Sequence, residues 1–275
     1  MNAEIPFVDF GGNGPIVHLA HANGFPAGTY QQLVNKFPDH HFIAMNAQPL
    51  WPNSDHSTFH TWQQGADDLI DFLDQRKLSG IVGMGHSFGA ICTIMAANKR
   101  PDLFTRLVLI EPVVLPKWFY LMNSSLPRYL IKQINPVIKK TLVRREHWPA
   151  RESAFHQLRR SKLFAGTSDR SLWDYVNSVT SNHASGGVFL TYSKEWEAQI
   201  FFTVTDPWKE IARLQIPFLV LRGESSDTIF PEVWKKLKST NPNGLYCEFE
   251  NAGHLLPIER PDDVAANIRS FLTSQ

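Results

Sequence analysis

The chain has 275 residues, of which 43% are hydrophobic and 19% charged, with a formal net charge of +1; it is long enough to bury a sizeable core and too apolar to remain disordered. That balance gives no electrostatic reason to expect nucleic acid as a partner. The first ten residues lack a basic stretch followed by an apolar one, and no later run reaches the length of a membrane span, so the expectation is a soluble cytoplasmic protein.

Phe7–Phe10 and Ile16–Ala20 are strand-like runs joined by Gly11-Gly12-Asn13-Gly14, which predicts a hairpin. The loop His21–Gly28 follows, and then Thr29-Tyr30-Gln31-Gln32, a capping-box pattern at a helix start. Phe42–Asn46 reads as a third strand, with an irregular loop at Gln48–Pro52. A second capping box, Thr61-Trp62-Gln63-Gln64, opens a helix whose apolar face carries Leu69, Phe72 and Leu73. Ser79–Val82 is a buried-strand run, Ala90–Ala97 a helix of small and apolar residues, and Leu107–Ile110 another buried strand ending at Glu111-Pro112. Strand alternating with helix implies an α/β protein with a mostly parallel sheet covered on both faces. The two cysteines, Cys92 and Cys247, fall in a predicted helix and strand and read as reduced core residues.

The alternation breaks from 113 to 207, where amphipathic helical segments appear without a convincing buried strand. Asn135-Pro136 and Ser168-Asp169 are helix starts there. This segment carries 13 Lys and Arg against 7 Asp and Glu, most of them read as a solvated helical surface. Its position makes 113–207 a cap inserted between core segments 1–112 and 208–275. Alternation resumes with Pro217–Arg222, a helix from Pro231, the strand Leu245–Phe249 and a terminal helix opened by Pro261.

Three groups fall at the carboxyl ends of predicted strands. Gly85-His86-Ser87-Phe88-Gly89 has the form G-x-S-x-G between a strand and a helix, a tight turn that lifts a serine hydroxyl out of the sheet and needs very small neighbours. Asp227 and His254 follow two later strands. A serine hydroxyl needs an imidazole to take its proton, and the imidazole needs a carboxylate to fix its tautomer. Asp227 is the preferred acid, with Glu224 and Glu111 as competing carboxylates. No carboxylate or cysteine spacing completes a metal site around the histidines.

These motifs, with the ending Ala252-Gly253-His254-Leu255-Leu256-Pro257-Ile258-Glu259-Arg260-Pro261, resemble the α/β-hydrolase superfamily in its capped, serine-nucleophile form. The resemblance covers 1–112 and 208–275. It implies a Ser87–His254–Asp227 triad, no cofactor, and an oxyanion-hole loop at His21–Phe25, where Ala22-Asn23 is inserted after the usual histidine. Backbone N–H groups of Phe25 and Phe88 are the implied oxyanion donors. The expected reaction is hydrolysis of a carboxylic ester or thioester with a mainly apolar acyl group, near Trp51, Trp118, Met122 and Leu255. A non-catalytic binding member, and carbon–carbon hydrolysis, perhydrolysis or cofactor-free oxygenation on the same triad, are the alternatives.

Overall fold

A computed structural model describes residues 4–273. In chain order the elements are β1 (Phe7–Gly11), β2 (Ile16–Ala20), α1 (Gln31–Val34), β3 (His41–Met45), α2 (Trp62–Gln75), β4 (Ile81–His86), α3 (Phe88–Lys99) and β5 (Phe104–Ile110). An intervening stretch then holds α4 (Lys117–Ser125), α5 (Arg128–Ile134), α6 (Pro136–Leu142), β6 (His147–Trp148), α7 (Arg151–Arg159), α8 (Asp169–Val179), β7 (Thr180–Asn182), β8 (Val188–Leu190) and α9 (Lys194–Phe202). The chain ends with α10 (Trp208–Arg213), β9 (Phe218–Gly223), α11 (Pro231–Thr240), β10 (Leu245–Phe249), α12 (Leu256–Glu259) and α13 (Pro261–Thr273).

Seven strands form one sheet in the order β1-β3-β2-β4-β5-β9-β10, parallel except for the antiparallel β1. Alternate side chains of β5 go to opposite faces, as a strand's period of two requires. Leu107 and Leu109 join a core with Leu69, Phe72 and Ile91 of α2 and α3. Val108 and Ile110 join a second core with Leu33, Ile268 and Phe271 of α1 and α13. Both faces are therefore covered, and the central strands read as continuous apolar runs.

β2 and β4 are neighbours, but the chain leaves β2 toward α1 on one face and β4 toward α3 on the other. The loops after these two strands diverge at one edge and leave a crevice between them, where open α/β sheets bind ligands.

The expected hairpin between the first two strands does not form, because β3 lies between them. Gly12 and Gly14 have φ of +107° and +134°, and a Cβ on either would overlap the backbone at Asp39 or His40. This glycine loop packs on the turn before β3 and spans two strand spacings rather than one. The capping box at Thr61 is present, with Thr61 and Gln64 bonding reciprocally. At Thr29 it is absent: α1 starts after a 3-10 turn, and the Thr29 hydroxyl is buried without a partner among the described residues. Asn135 and Ser168 cap α6 and α8 as their sequence implies. The intervening stretch also contains a three-stranded antiparallel sheet, β6-β8-β7, whose strands of two and three residues are too short to show periodicity.

The turn from β4 into α3 is the tightest point of the core. Ser87 has φ 55° and ψ −118°, a region that costs on the order of 1–3 kcal/mol for a non-glycine residue. A Cβ on Gly85 would strike Ala90, and one on Gly89 would strike the carbonyl groups of Ala20 and His21. Gly89→Ala is expected to destabilise the fold by about 2–3 kcal/mol through overpacking, read as a lower urea midpoint with an unchanged slope.

Candidate active site

Ser87 caps α3 at the carboxyl end of β4, and its Oγ lies 2.9 Å from His254 Nε2. The other imidazole nitrogen, Nδ1, lies 3.0 Å from Glu111 Oε2. A carboxylate at Nδ1 fixes the proton there, so Nε2 is the lone-pair side that faces the serine hydroxyl. Serine, imidazole and carboxylate thus stand in line, an arrangement able to draw a proton from Ser87 as its oxygen attacks an electrophile.

The acid is where the geometry departs from expectation. Asp227 is exposed and makes no bond to His254 among the described residues. Its neighbour Thr228 turns inward instead, with Oγ1 at 2.9 Å from His254 Nδ1 and 3.2 Å from Glu111 Oε2. Glu111, at the end of β5, has no solvent exposure and φ of 47°. Its Oε1 accepts from Gly223 N–H at 2.5 Å, and its Oε2 also accepts from Ser226 Oγ at 2.6 Å. Four donors, counting His254 and Thr228, compensate the desolvation that a buried carboxylate suffers. Glu224, the third carboxylate considered, is also exposed, and its Oε2 accepts from Asn251 N–H.

His86, the variable residue of the elbow, is buried, and that burial holds its imidazole well below the usual histidine range. A neutral ring has one donor and one acceptor. Nε2–H donates to the His254 carbonyl oxygen at 2.9 Å, and Nδ1 accepts from Tyr30 Oη at 2.8 Å. Tyr30 Oη in turn accepts from Ala22 N–H at 3.0 Å. One buried chain of hydrogen bonds therefore joins the loops that follow β2, β4 and β10.

The His21–Phe25 loop has most of its amides engaged. Phe25 N–H donates to the Ala22 carbonyl at 3.1 Å, so it is not an unused donor as expected. Gly24 N–H meets the Tyr192 phenol. Asn23 N–H and Phe88 N–H have no acceptor among the described residues, the latter because it opens α3 and has no preceding turn to bond. The Asn23 side chain is held from the intervening stretch: Nδ2 donates to the Glu197 carbonyl at 3.0 Å, and Oδ1 accepts from Tyr192 Oη at 2.9 Å. His21 is structural; Nδ1 donates to the Ala22 carbonyl, Nε2 accepts from Ala47 N–H, and burial pushes its pKa down to about 4.

Of the four residues expected around an acyl group, Trp118 is 62% exposed and faces solvent on α4. Trp51 is part-buried and donates from Nε1 to the Asn46 carbonyl at 2.5 Å. Leu255 is core, and Met122 is part-buried. None of them lines the cavity of about 20 Å³ beside Phe88, whose walls include His21, Phe59, Asp68, Cys92 and Ile200. That space is the size of a water molecule rather than of an acyl chain. No group of three or more His, Cys, Asp or Glu among the described residues could hold a metal ion.

Residues 16–267 match the alpha/beta hydrolase family. The chain is 23% identical over 231 residues to the uncharacterized hydrolase YugF of Bacillus subtilis, spanning 84% of this chain and 79% of that one. Among solved structures it is similar to E-2-(acetamidomethylene)succinate hydrolase, with a TM-score of 0.81, 17% identity and coverage of 98% and 95% of the two chains. It is also similar to an esterase of M. tuberculosis, with a TM-score of 0.77, 17% identity and coverage of 100% and 90%. At these identities the structural likeness establishes a shared fold.

Two outcomes follow from the site's geometry. Glu111→Gln is expected to slow phosphonylation of Ser87 by a fluorophosphonate by about 100-fold or more, since an amide misorients the imidazole; Asp227→Asn is expected to stay within about twofold. Asp68, which lines the small cavity and accepts from Gln48 Nε2 at 2.8 Å, has its pKa pushed up to about 7 by burial. The folded state then holds a proton that the unfolded chain has lost above about pH 4, so this group lowers stability as pH rises from about 4 to about 7. Asp68→Asn removes that slope, and thermal unfolding at about pH 8 is expected to show a gain on the order of 1 kcal/mol over the parent, shrinking toward pH 4.

Proposed function

Since this chain belongs to the alpha/beta hydrolase family over residues 16–267, we propose that it is a serine hydrolase that cleaves a carboxylic ester or thioester through an acyl-enzyme. The observation that carries this reading is the line from Ser87 Oγ through the His254 ring to Glu111 Oε2, at 2.9 and 3.0 Å. In this reading residues 1–112 and 208–275 are the core, 113–207 a cap, and the cytoplasm the compartment, which suits the free thiols of Cys92 and Cys247.

Ser87 Oγ attacks the carbonyl carbon while its proton passes to His254 Nε2, and the imidazolium that forms is stabilised by Glu111. The carbonyl oxygen becomes an oxyanion. Phe88 N–H and Asn23 N–H, amides without a partner among the described residues, receive it. Collapse of the tetrahedral intermediate breaks the bond to the leaving group, which departs with the proton from Nε2. Water then attacks the acyl-enzyme, gives a proton to Nε2, and releases the carboxylic acid as Ser87 recovers its hydrogen. His86 and Tyr30 take no proton in this cycle and position the loops. The named hydrolase and esterase among the similar proteins support the reaction class.

Hydrolysis of p-nitrophenyl esters tests the reading, with acyl length varied to define the acyl group accepted. Ser87→Ala is expected to reduce kcat by about 10³-fold or more with the fold intact; retention of the parent rate would remove Ser87 as nucleophile. Tyr30→Phe, which breaks the chain between Ala22 and His86, is expected to lower kcat about tenfold with little change in KM, the signature of an interaction that counts in the transition state.

A further inference from the structure

We propose that helices α4 to α6 form a docking surface for a lipid bilayer bearing anionic headgroups. Between Glu111 and Glu146 the sequence contains no Asp or Glu but seven Lys and Arg. Three of the seven are used within the protein: Arg144 pairs with Glu197 and donates to Tyr175, Arg128 donates to Gln199 Oε1, and Arg145 donates to the His147 carbonyl. Lys117, Lys132, Lys139 and Lys140 are exposed and form no ion pair among the described residues. The two acids that bound the stretch cannot neutralise them, since Glu111 is fully buried and Glu146 is paired with Lys194; Glu197, which also meets this region, is paired with Arg144.

The same three helices, with Val143 directly after α6, expose large apolar side chains. Trp118, Tyr129, Ile134, Val137 and Val143 are 62%, 68%, 52%, 49% and 81% exposed. Outside residues 118–143, the described chain exposes only Leu163, Phe230 and Leu245 among its large hydrophobic residues. Singly placed surface apolar residues are ordinary, whereas a cluster confined to one region marks a surface built to be covered. The inward positions of these helices are already filled by Tyr120, Ile131 and Ile138, so the exposed residues are not displaced core.

Charge selects the occupant. A protein partner would ordinarily be met by a polar rim of both signs, and here the stretch that carries the apolar side chains contributes Lys and Arg but no acid. Aromatic and aliphatic side chains interleaved with lysines, with no acid among them, suit the boundary between acyl chains and anionic headgroups, where lysine stems lie along apolar surface and their ammonium groups reach phosphate. No helix among the described residues is long and apolar enough to cross a membrane, so the contact is peripheral. It stands independently of the chemistry proposed for Ser87.

Flotation of the full chain with vesicles tests the surface. Vesicles of phosphatidylcholine containing about 30% phosphatidylglycerol should bind at least about tenfold more protein than phosphatidylcholine alone, and about 0.5 M salt should reverse most of that gain. Lys132→Glu with Lys139→Glu and Lys140→Glu should abolish the preference for anionic vesicles, and Ile134→Ser with Val137→Ser should weaken binding to them about tenfold. These exposed positions leave the fold intact, checked by circular dichroism, and hydrolysis of a short soluble ester should be unchanged in both variants. Equal binding to neutral and anionic vesicles, or undiminished binding by the lysine variant, overturns the proposal. So does light scattering that reports a dimer lost in Ile134→Ser with Val137→Ser while no vesicles are bound, which assigns the face to a second copy of the chain.

Discussion

The interaction on which the rest of the site depends is the burial of the Glu111 carboxylate. It has no solvent exposure and sits at a positive φ, so two penalties fall on one residue at the end of β5. Both are offset by donors that belong to other elements: Gly223 N–H at the end of β9, Ser226 and Thr228 in the loop after it, and His254 in the loop after β10. Each of those loops is consequently shaped around a single charge. Removing one partner would leave a buried charge less than fully compensated, which is why the arrangement behaves as a unit rather than as separate bonds.

A second network acts on the backbone of the same histidine. His86, held neutral by burial, can donate through only one nitrogen, and that nitrogen is committed to the backbone of His254. Its acceptor side is committed to Tyr30, which in turn is fixed by the amide of Ala22. The side chain of His254 is thus oriented by Glu111 and its backbone by His86. This division explains why a large polar residue occupies a fully buried position immediately before a strained serine, where apolar packing alone would give no direction.

The serine was legible in the sequence because it lies in a motif whose spacing is imposed by local sterics, and the histidine because it follows the last strand in an ending that resembles the family's. Gly85 and Gly89 are required by contacts with Ala90 and Ala20, and such contacts leave a pattern in the chain. The acid left none. Asp227, Glu224 and Glu111 all follow sheet strands, and what distinguishes them is burial and the direction of one loop, in which Thr228 faces inward and Asp227 outward. The alternation of strand and helix was legible for a similar reason, since buried parallel strands are continuous apolar runs. Strand order was not: whether β1 pairs with β2 or lets β3 between them depends on the path of a glycine loop over the turn at Asp39 and His40. Nor could spacing reveal that Phe25 N–H is consumed by Ala22, because amide partners depend on backbone angles set within the loop.

Asn23 joins these levels. Its side chain is clamped between the carbonyl of Glu197 and the phenol of Tyr192, both from the stretch between β5 and β9. The Glu197 carboxylate lies against Gly24 and is itself paired with Arg144, with Thr141 at 3.5 Å. The loop after β2 is therefore braced from two directions, by Tyr30 beneath and by α9 and its neighbours above. An amide that receives developing charge must hold its position to within a fraction of an ångström. In the proposed mechanism Asn23 N–H is such an amide, and its own side chain supplies the rigidity. Of the two residues that follow His21, Ala22 thus ties the loop to Tyr30 and Asn23 ties it to the stretch between β5 and β9.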